Sequence, residues 1–140
     1  RAPAALVSTL AGVWVLVGVA VMPALNDSSS ARGLMREAGS RIGADAELGL
    51  VAWREQNLLM ADRPVAEFGF KVPFDEQMRR GLAWQAQAPA RRWLLVQDVA
   101  LAGCIDRGRA QLVGTAHRRG WWLVPARATM ACRHALVAPR

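Results

Sequence analysis

The chain has no tyrosine, one lysine (Lys71), two histidines, three phenylalanines and two cysteines in 140 residues. These scarcities narrow its chemistry. Its net charge of +7 rests almost wholly on arginine. Arginine- and alanine-heavy usage without tyrosine reflects GC-rich coding, so the charge argues little for nucleic-acid binding. No basic run is interleaved with aromatics, and no nucleic-acid motif occurs. Neither GxxxxGK[ST] nor a GxGxxG at a strand–helix junction is present, so no glycine-rich loop cradles phosphate. The serines are Ser8, Ser28, Ser29, Ser30 and Ser40, none in a nucleophile elbow. Cys104, His117, Cys132 and His134 are zinc-ligand types without CxxC or HxxxH spacing, which leaves no expected metal. No cofactor site is expected either.

Charge is also missing from Ala2 to Leu25, where only Ser8 and Thr9 interrupt an apolar run. As a helix it would measure roughly 35 Å, enough to cross a hydrocarbon core of ~30 Å with some tilt. A signal peptide would have a shorter apolar stretch and a small-residue cleavage site, which Met22-Pro23-Ala24-Leu25 lacks. A buried core helix would show a polar face over such a length. The reading is therefore a transmembrane helix over 1–26 and a soluble domain over 27–140. The chain starts at Arg1 rather than Met, which suggests the last span of a larger polytopic protein. A basic domain held at a bilayer suits anionic head groups or phosphate-bearing lipid carriers.

The remaining residues, about 115, make one ordinary domain. Asn26–Ser30 is a polar joint. Ala31, Leu34, Met35, Ala38 and Ile42 recur at helical spacing and predict an amphipathic helix ending near Gly43. Leu48–Trp53 is apolar on both faces, the pattern of a central strand. A short helix over Gln56–Ala61, a strand over Val65–Phe68 and a loop over Gly69–Phe74 follow. Asp75 is placed to cap a helix carrying Met78, Leu82 and Ala86, which stops at Pro89. Trp93–Gln97 reads as a second central strand, neighbouring or nearly neighbouring the first, and Asp98–Cys104 as a helical turn. Ala110–Thr115 and Trp121–Ala126 flank Arg118-Arg119-Gly120 as a terminal β-hairpin. The expected fold is a small layered α/β domain with a mainly parallel sheet and a C-terminal β-hairpin.

No catalytic residue stands out. Glu55 and Asp62 flank the helix after the first strand, where α/β sheets often bind ligands. Glu67, Asp75 and Glu76 follow the second strand. Acid–base work would need two of these to converge. Beside Arg54, Arg63, Arg79 and Arg80 they are more simply surface ion pairs. Trp53, Trp84, Trp93, Trp121 and Trp122 offer a sugar-stacking platform only if they come together. His117 and His134 are expected on the surface. Cys104 and Cys132 are few enough to be incidental; outside the cytoplasm they could pair, closing a loop of about 28 residues. Charges around the span barely set its orientation: Arg1 before it and Asn26–Ser30 after it favour an external domain, whereas Arg32 and Arg36 oppose this.

The segment Met22-Pro23-Ala24-Leu25-Asn26-Asp27 leads through Ser30-Ala31-Arg32 into the amphipathic helix. The strand Leu48–Trp53, Glu55-Gln56-Asn57-Leu58-Leu59 and Asp62-Arg63-Pro64-Val65 follow. This order resembles the C-terminal end of bacterial relatives of dolichyl-phosphate-mannose protein mannosyltransferases and aminoarabinose transferases. Those are polytopic GT-C glycosyltransferases whose last span precedes a periplasmic α/β domain. Asp62 stands where that family carries a small residue before Arg-Pro.

The resemblance implies a parent in a bacterial inner membrane that moves a sugar from a polyprenyl-phosphate carrier to a lipid or protein acceptor. The family's catalytic acids lie in an early periplasmic loop absent from this sequence. The implied role is thus accessory, with the bilayer, the rest of the parent and the polyprenyl-phosphate donor as partners, and no nucleic acid. Two other classes compete: a membrane-anchored binding or assembly domain without enzymatic activity, and a small enzyme using acids near Glu55.

Overall fold

A computed structural model describes residues 2–23 and 31–132. The apolar run is helical. Helix α1 spans Ala2–Leu16 and continues through a π-helical turn at Val17–Val21 into Met22 and Pro23. Thr9 Oγ1 donates to the Ala5 carbonyl at 2.9 Å, so its hydroxyl is satisfied within the helix. Pro23 has no N–H, and its ring crowds the carbonyl four residues back; the widened turn lies where that crowding acts. Pro3–Val21 has a mean hydropathy of 2.3, none of it buried, which meets the length and composition needed to cross a membrane. A buried core helix is thereby set aside. The joint Asn26–Ser30 and His134 lie outside the described residues.

The domain is a five-stranded sheet in the order β2-β1-β3-β5-β4, with β1 at Glu47–Val51, β2 at Val65–Glu67, β3 at Arg92–Gln97, β4 at Gln111–Ala116 and β5 at Arg119–Val124. β1 and β3 lie inside the sheet, where their non-alternating apolar pattern places them, and are parallel neighbours with Leu48 opposite Trp93 and Leu50 opposite Leu95. Helix α2 (Arg32–Ile42) covers one face, where Leu34, Met35 and Ala38 pack on Leu48, Leu50, Leu95 and Leu123. Helix α4 (Phe74–Gln87) covers the other, where Met78 and Leu82 join Val51, Leu94, Val96 and Val124. Leu50, Leu94, Leu95 and Leu123 are wholly buried, each worth about 1.5–3 kcal/mol of transfer free energy. Gly49 lets the α4 layer close on the sheet: a Cβ there would stand 2.9 Å from both Phe68 and Trp84.

The mainly parallel sheet is corrected. β1 pairs in parallel with β2 and β3, but β5 is antiparallel to both β3 and β4. The hairpin is not an appendage, because β5 lies inside the sheet. Trp121 and Leu123 fill one core face and Val124 the other. Its turn is also corrected. His117 and Arg118, with φ of 53° and 62°, make a two-residue turn between Ala116 and Arg119. Gly120 sits in β5, opposite Thr115. The β4–β5 ladder slips between Leu112 and Gly114, leaving Val113 as an extra residue.

Other bounds shift modestly. Gly43, at φ 81°, follows the end of α2. Helix α3 spans Glu55–Leu59 rather than Gln56–Ala61. Pro73, not Asp75, holds the N-cap position of α4, and Asp75 lies in its first turn, where a carboxylate suits the helix dipole. A single 3-10 turn at Asp98–Ala100 stands where a longer helical turn was expected. Cys104 and Cys132 form a disulfide with Cα atoms 5.0 Å apart.

Candidate functional site

The parallel strands end at one edge of the sheet, the usual ligand-binding edge of α/β folds. Two loops leave it there. After β1, Ala52 turns the chain at φ 57°, and its N–H donates to Gln77 Oε1 at 2.9 Å. After β2, Gly69 N–H donates to Glu67 Oε2 and Lys71 adopts φ 63°. Gln77 Nε2 donates to the Val72 carbonyl at 2.8 Å, so this buried side chain of α4 ties both loops together. The Asn57 side chain accepts from Arg54 N–H at 2.9 Å and caps α3. Non-glycine residues at positive φ carry strain of order 1 kcal/mol each, and here Gln77 holds the backbone in place.

Between the loops lies a cleft of about 450 Å³ walled by Trp53, Gly69–Phe74 and Gln77. The Trp53 and Phe70 rings are 5.6 Å apart, and Lys71 Nζ stands 5.8 Å from the Phe70 ring centre. Phe70 is 56% exposed and Phe74 47%. Phe74 separates this cleft from a second hollow of about 330 Å³, lined by Met78, Leu82, Val99 and Leu101 beside the disulfide. The cleft is lined by three aromatic rings, Trp53, Phe70 and Phe74, and one cation, Lys71.

The expected acids do not converge. Asp62 lies at the opposite edge, in a bidentate pair with Arg63 at 2.8 and 2.9 Å. That guanidinium also donates to the carbonyls of Gly39, Gly43 and Ala46. The pair is a clamp on the end of α2, and the Arg63 hydrogen bond holds the Asp62 carboxyl below its ordinary range. Glu76 accepts from Arg79 and Arg80 at 2.7 Å, which lowers its pKa from 4.5 to about 2. Glu67 is spent on Gly69 N–H. Glu55 borders a shallow hollow with Arg54, Gln56 and Phe70, and Asp75 borders the apolar one. Among the described residues, no three His, Cys, Asp or Glu side chains gather as metal ligands.

Nor do the tryptophans form a platform. Trp121 is buried, Trp84 packs on Phe68 with the Arg92 guanidinium 4.6 Å from its ring, and Trp93 backs the α2 layer. Only Trp53 reaches the cleft. His117 is exposed in the hairpin turn. Phe70 and Lys71, in the loop expected over Gly69–Phe74, and Phe74, which opens α4 instead, shape the site. The signal was present as Phe-Gly-Phe-Lys-Val-Pro-Phe over 68–74, in which aromatics recur where a turn would normally be polar.

A pH response follows from Glu76. Its folded pKa is depressed, so its stabilising effect is complete above 4.5 and lost as pH falls toward 2. Asp62 loses its share in the same direction. Thermal midpoints measured between pH 5 and pH 2 should fall less steeply for Glu76→Gln than for the parent chain; identical slopes would refute the pairing.

Compared with known proteins, the chain matches no family model, no curated protein and no solved structure.

Proposed function

We propose that the chain is the membrane-anchored accessory part of a polytopic glycosyltransferase that moves a sugar from a polyprenyl-phosphate carrier to a lipid or protein acceptor. The domain would face the periplasm of a bacterial inner membrane. One observation carries the accessory role: an unburied apolar helix is joined to a domain whose acids do not converge, with Asp62 and Glu76 held in ion pairs and Glu67 on a backbone N–H. The sugar chemistry rests on the sequence resemblance at Met22–Asp27, Leu48–Trp53 and Asp62–Val65. The Cys104–Cys132 bridge supports an oxidising compartment. A domain of this kind covers a catalytic cavity and positions an anionic carrier without touching the reacting bond.

The test is sugar transfer from a polyprenyl-phosphate donor by the parent enzyme, by the parent lacking 26–140, and by this chain alone. This chain should show no turnover. The truncation should lose activity on the order of 10²-fold, as when substrate positioning relaxes by about an ångström. Turnover by this chain, or full activity in the truncation, would defeat the accessory role. Full activity in the truncation would favour the competing reading, an anchored binding or assembly domain, to which the aromatic cleft is equally suited.

A further inference from the structure

We infer that the carboxyl edge of the parallel strands is a bilayer-seating surface: Phe70 and Phe74 enter the boundary between head groups and acyl chains, and Lys71 and Arg54 meet anionic head groups. The inference rests on reading α1 as a membrane span and adds which way the domain faces.

The direction of α2 supplies the first argument. Its C-terminal end lies at the amino edge of the sheet, where Arg63 binds the carbonyls of Gly39 and Gly43 and that of Ala46 just before β1. Eleven helical residues rise about 16 Å, close to the length of β1, so the start of α2 lies at the carboxyl edge. The chain coming from α1 therefore enters the domain on the side that carries the cleft. From Pro23 to Ala31 it can reach at most about 28 Å, which keeps that edge close to the membrane surface.

The second argument is the composition of the two edges. The amino edge carries ion pairs: Glu47 with Arg91 and Arg92, and Asp62 with Arg63. The carboxyl edge carries exposed Phe70, Phe74 and Val99, with the apolar hollow opening beside Phe74. Arg32, Arg54, Lys71 and Arg118 stand at this edge outside any ion pair among the described residues. Glu55, Glu67, Asp75 and Asp98 share it, as do Glu76 and its ion-pair partners Arg79 and Arg80 in the first turns of α4, so the attraction is local to the aromatic rim rather than a property of the whole edge. Phenylalanine flanked by cations, facing the head-group layer, is the pattern of interfacial anchoring.

The test uses the full chain in vesicles of phosphatidylethanolamine and phosphatidylglycerol, with the native disulfide intact. Nitroxide labels are placed singly through Phe70→Cys, Phe74→Cys, Ala44→Cys, Ala90→Cys and Val13→Cys. Accessibility to oxygen and to a water-soluble nickel chelate is then measured by spin resonance. The expected result is a Val13 label in the acyl core, Phe70 and Phe74 labels with an oxygen-to-nickel ratio several-fold above Ala44 and Ala90, and Ala44 and Ala90 in water. Adding Lys71→Glu should return the Phe70 label toward the aqueous ratio. A Val13 label in lipid with Phe70 and Phe74 in water overturns this inference and leaves the span intact. A Val13 label outside the acyl core overturns both. Labels at Phe70 and Phe74 shielded from both reagents would mean that protein covers the edge, which also overturns it.

Discussion

Gln85→Leu should lower the stability of the domain by about 2–5 kcal/mol, although leucine nearly matches the volume of glutamine. Gln85 is fully buried on α4. Its Nε2 donates to the carbonyls of Arg92 at 3.0 Å and Val124 at 2.9 Å, and its Oε1 accepts from Thr129 Oγ1 at 3.1 Å. One side chain thus joins α4, β3, the end of β5 and the turn leading to Cys132. Leucine would strip a donor from two carbonyls in a dry site, each at a cost of about 1–3 kcal/mol. Thr129 can keep its bond to the Ala126 carbonyl, so it adds little. Gln85→Glu should be worse, because it sets an acceptor against acceptors. Urea unfolding of the detergent-solubilised chain measures both; a Gln85→Leu midpoint matching the parent would contradict the network.

The double replacement Cys104→Ser with Cys132→Ser should cost about 3–4 kcal/mol, because the bridge closes a loop of 28 residues that holds the whole hairpin. For a domain of this size that corresponds to a fall in thermal midpoint of roughly 15 °C. A thiol reductant should reproduce the shift in the parent chain and leave the double variant unmoved. An unchanged midpoint after complete reduction would show that the bridge constrains nothing. Cys132 is wholly buried while Cys104 is partly exposed, so Cys132→Ser alone should account for most of the packing loss.

Much of this fold was legible because burial leaves a periodic trace. Leu48–Trp53 and Trp93–Gln97 lack alternation, and the structure puts helices on both sides of them. Leu34, Met35 and Ala38 face the sheet as their spacing requires. Strand direction leaves no such trace. Trp121–Val124 is buried on both faces in an antiparallel pairing, and its residues would read the same in a parallel one. Gly120 marks a turn in sequence, yet the turn falls on His117 and Arg118, which take positive φ without glycine. At the site, sequence identified the acids but not their destinations. Asp62 and Glu55 are seven positions apart, yet α3 carries the chain to the opposite edge between them. The aromatic rim went unread because phenylalanine in sequence implies core, and only the folded loop exposes Phe70 and Phe74.

The slip at Val113 has a consequence for how copies of the domain share a membrane. If α1 holds them in one plane, their collisions are frequent and similarly oriented, and an unpaired strand margin becomes a template for intermolecular β-sheet. The outer strands are β2 and β4. β2 offers only three residues and begins after Pro64, which has no N–H to donate. β4 is longer, but its extra residue breaks the spacing of the ladder, and Arg41 already occupies the Leu112 carbonyl. A neighbouring chain would find neither margin straight for more than a few residues. Self-association by strand addition is thereby discouraged where crowding in two dimensions would most promote it.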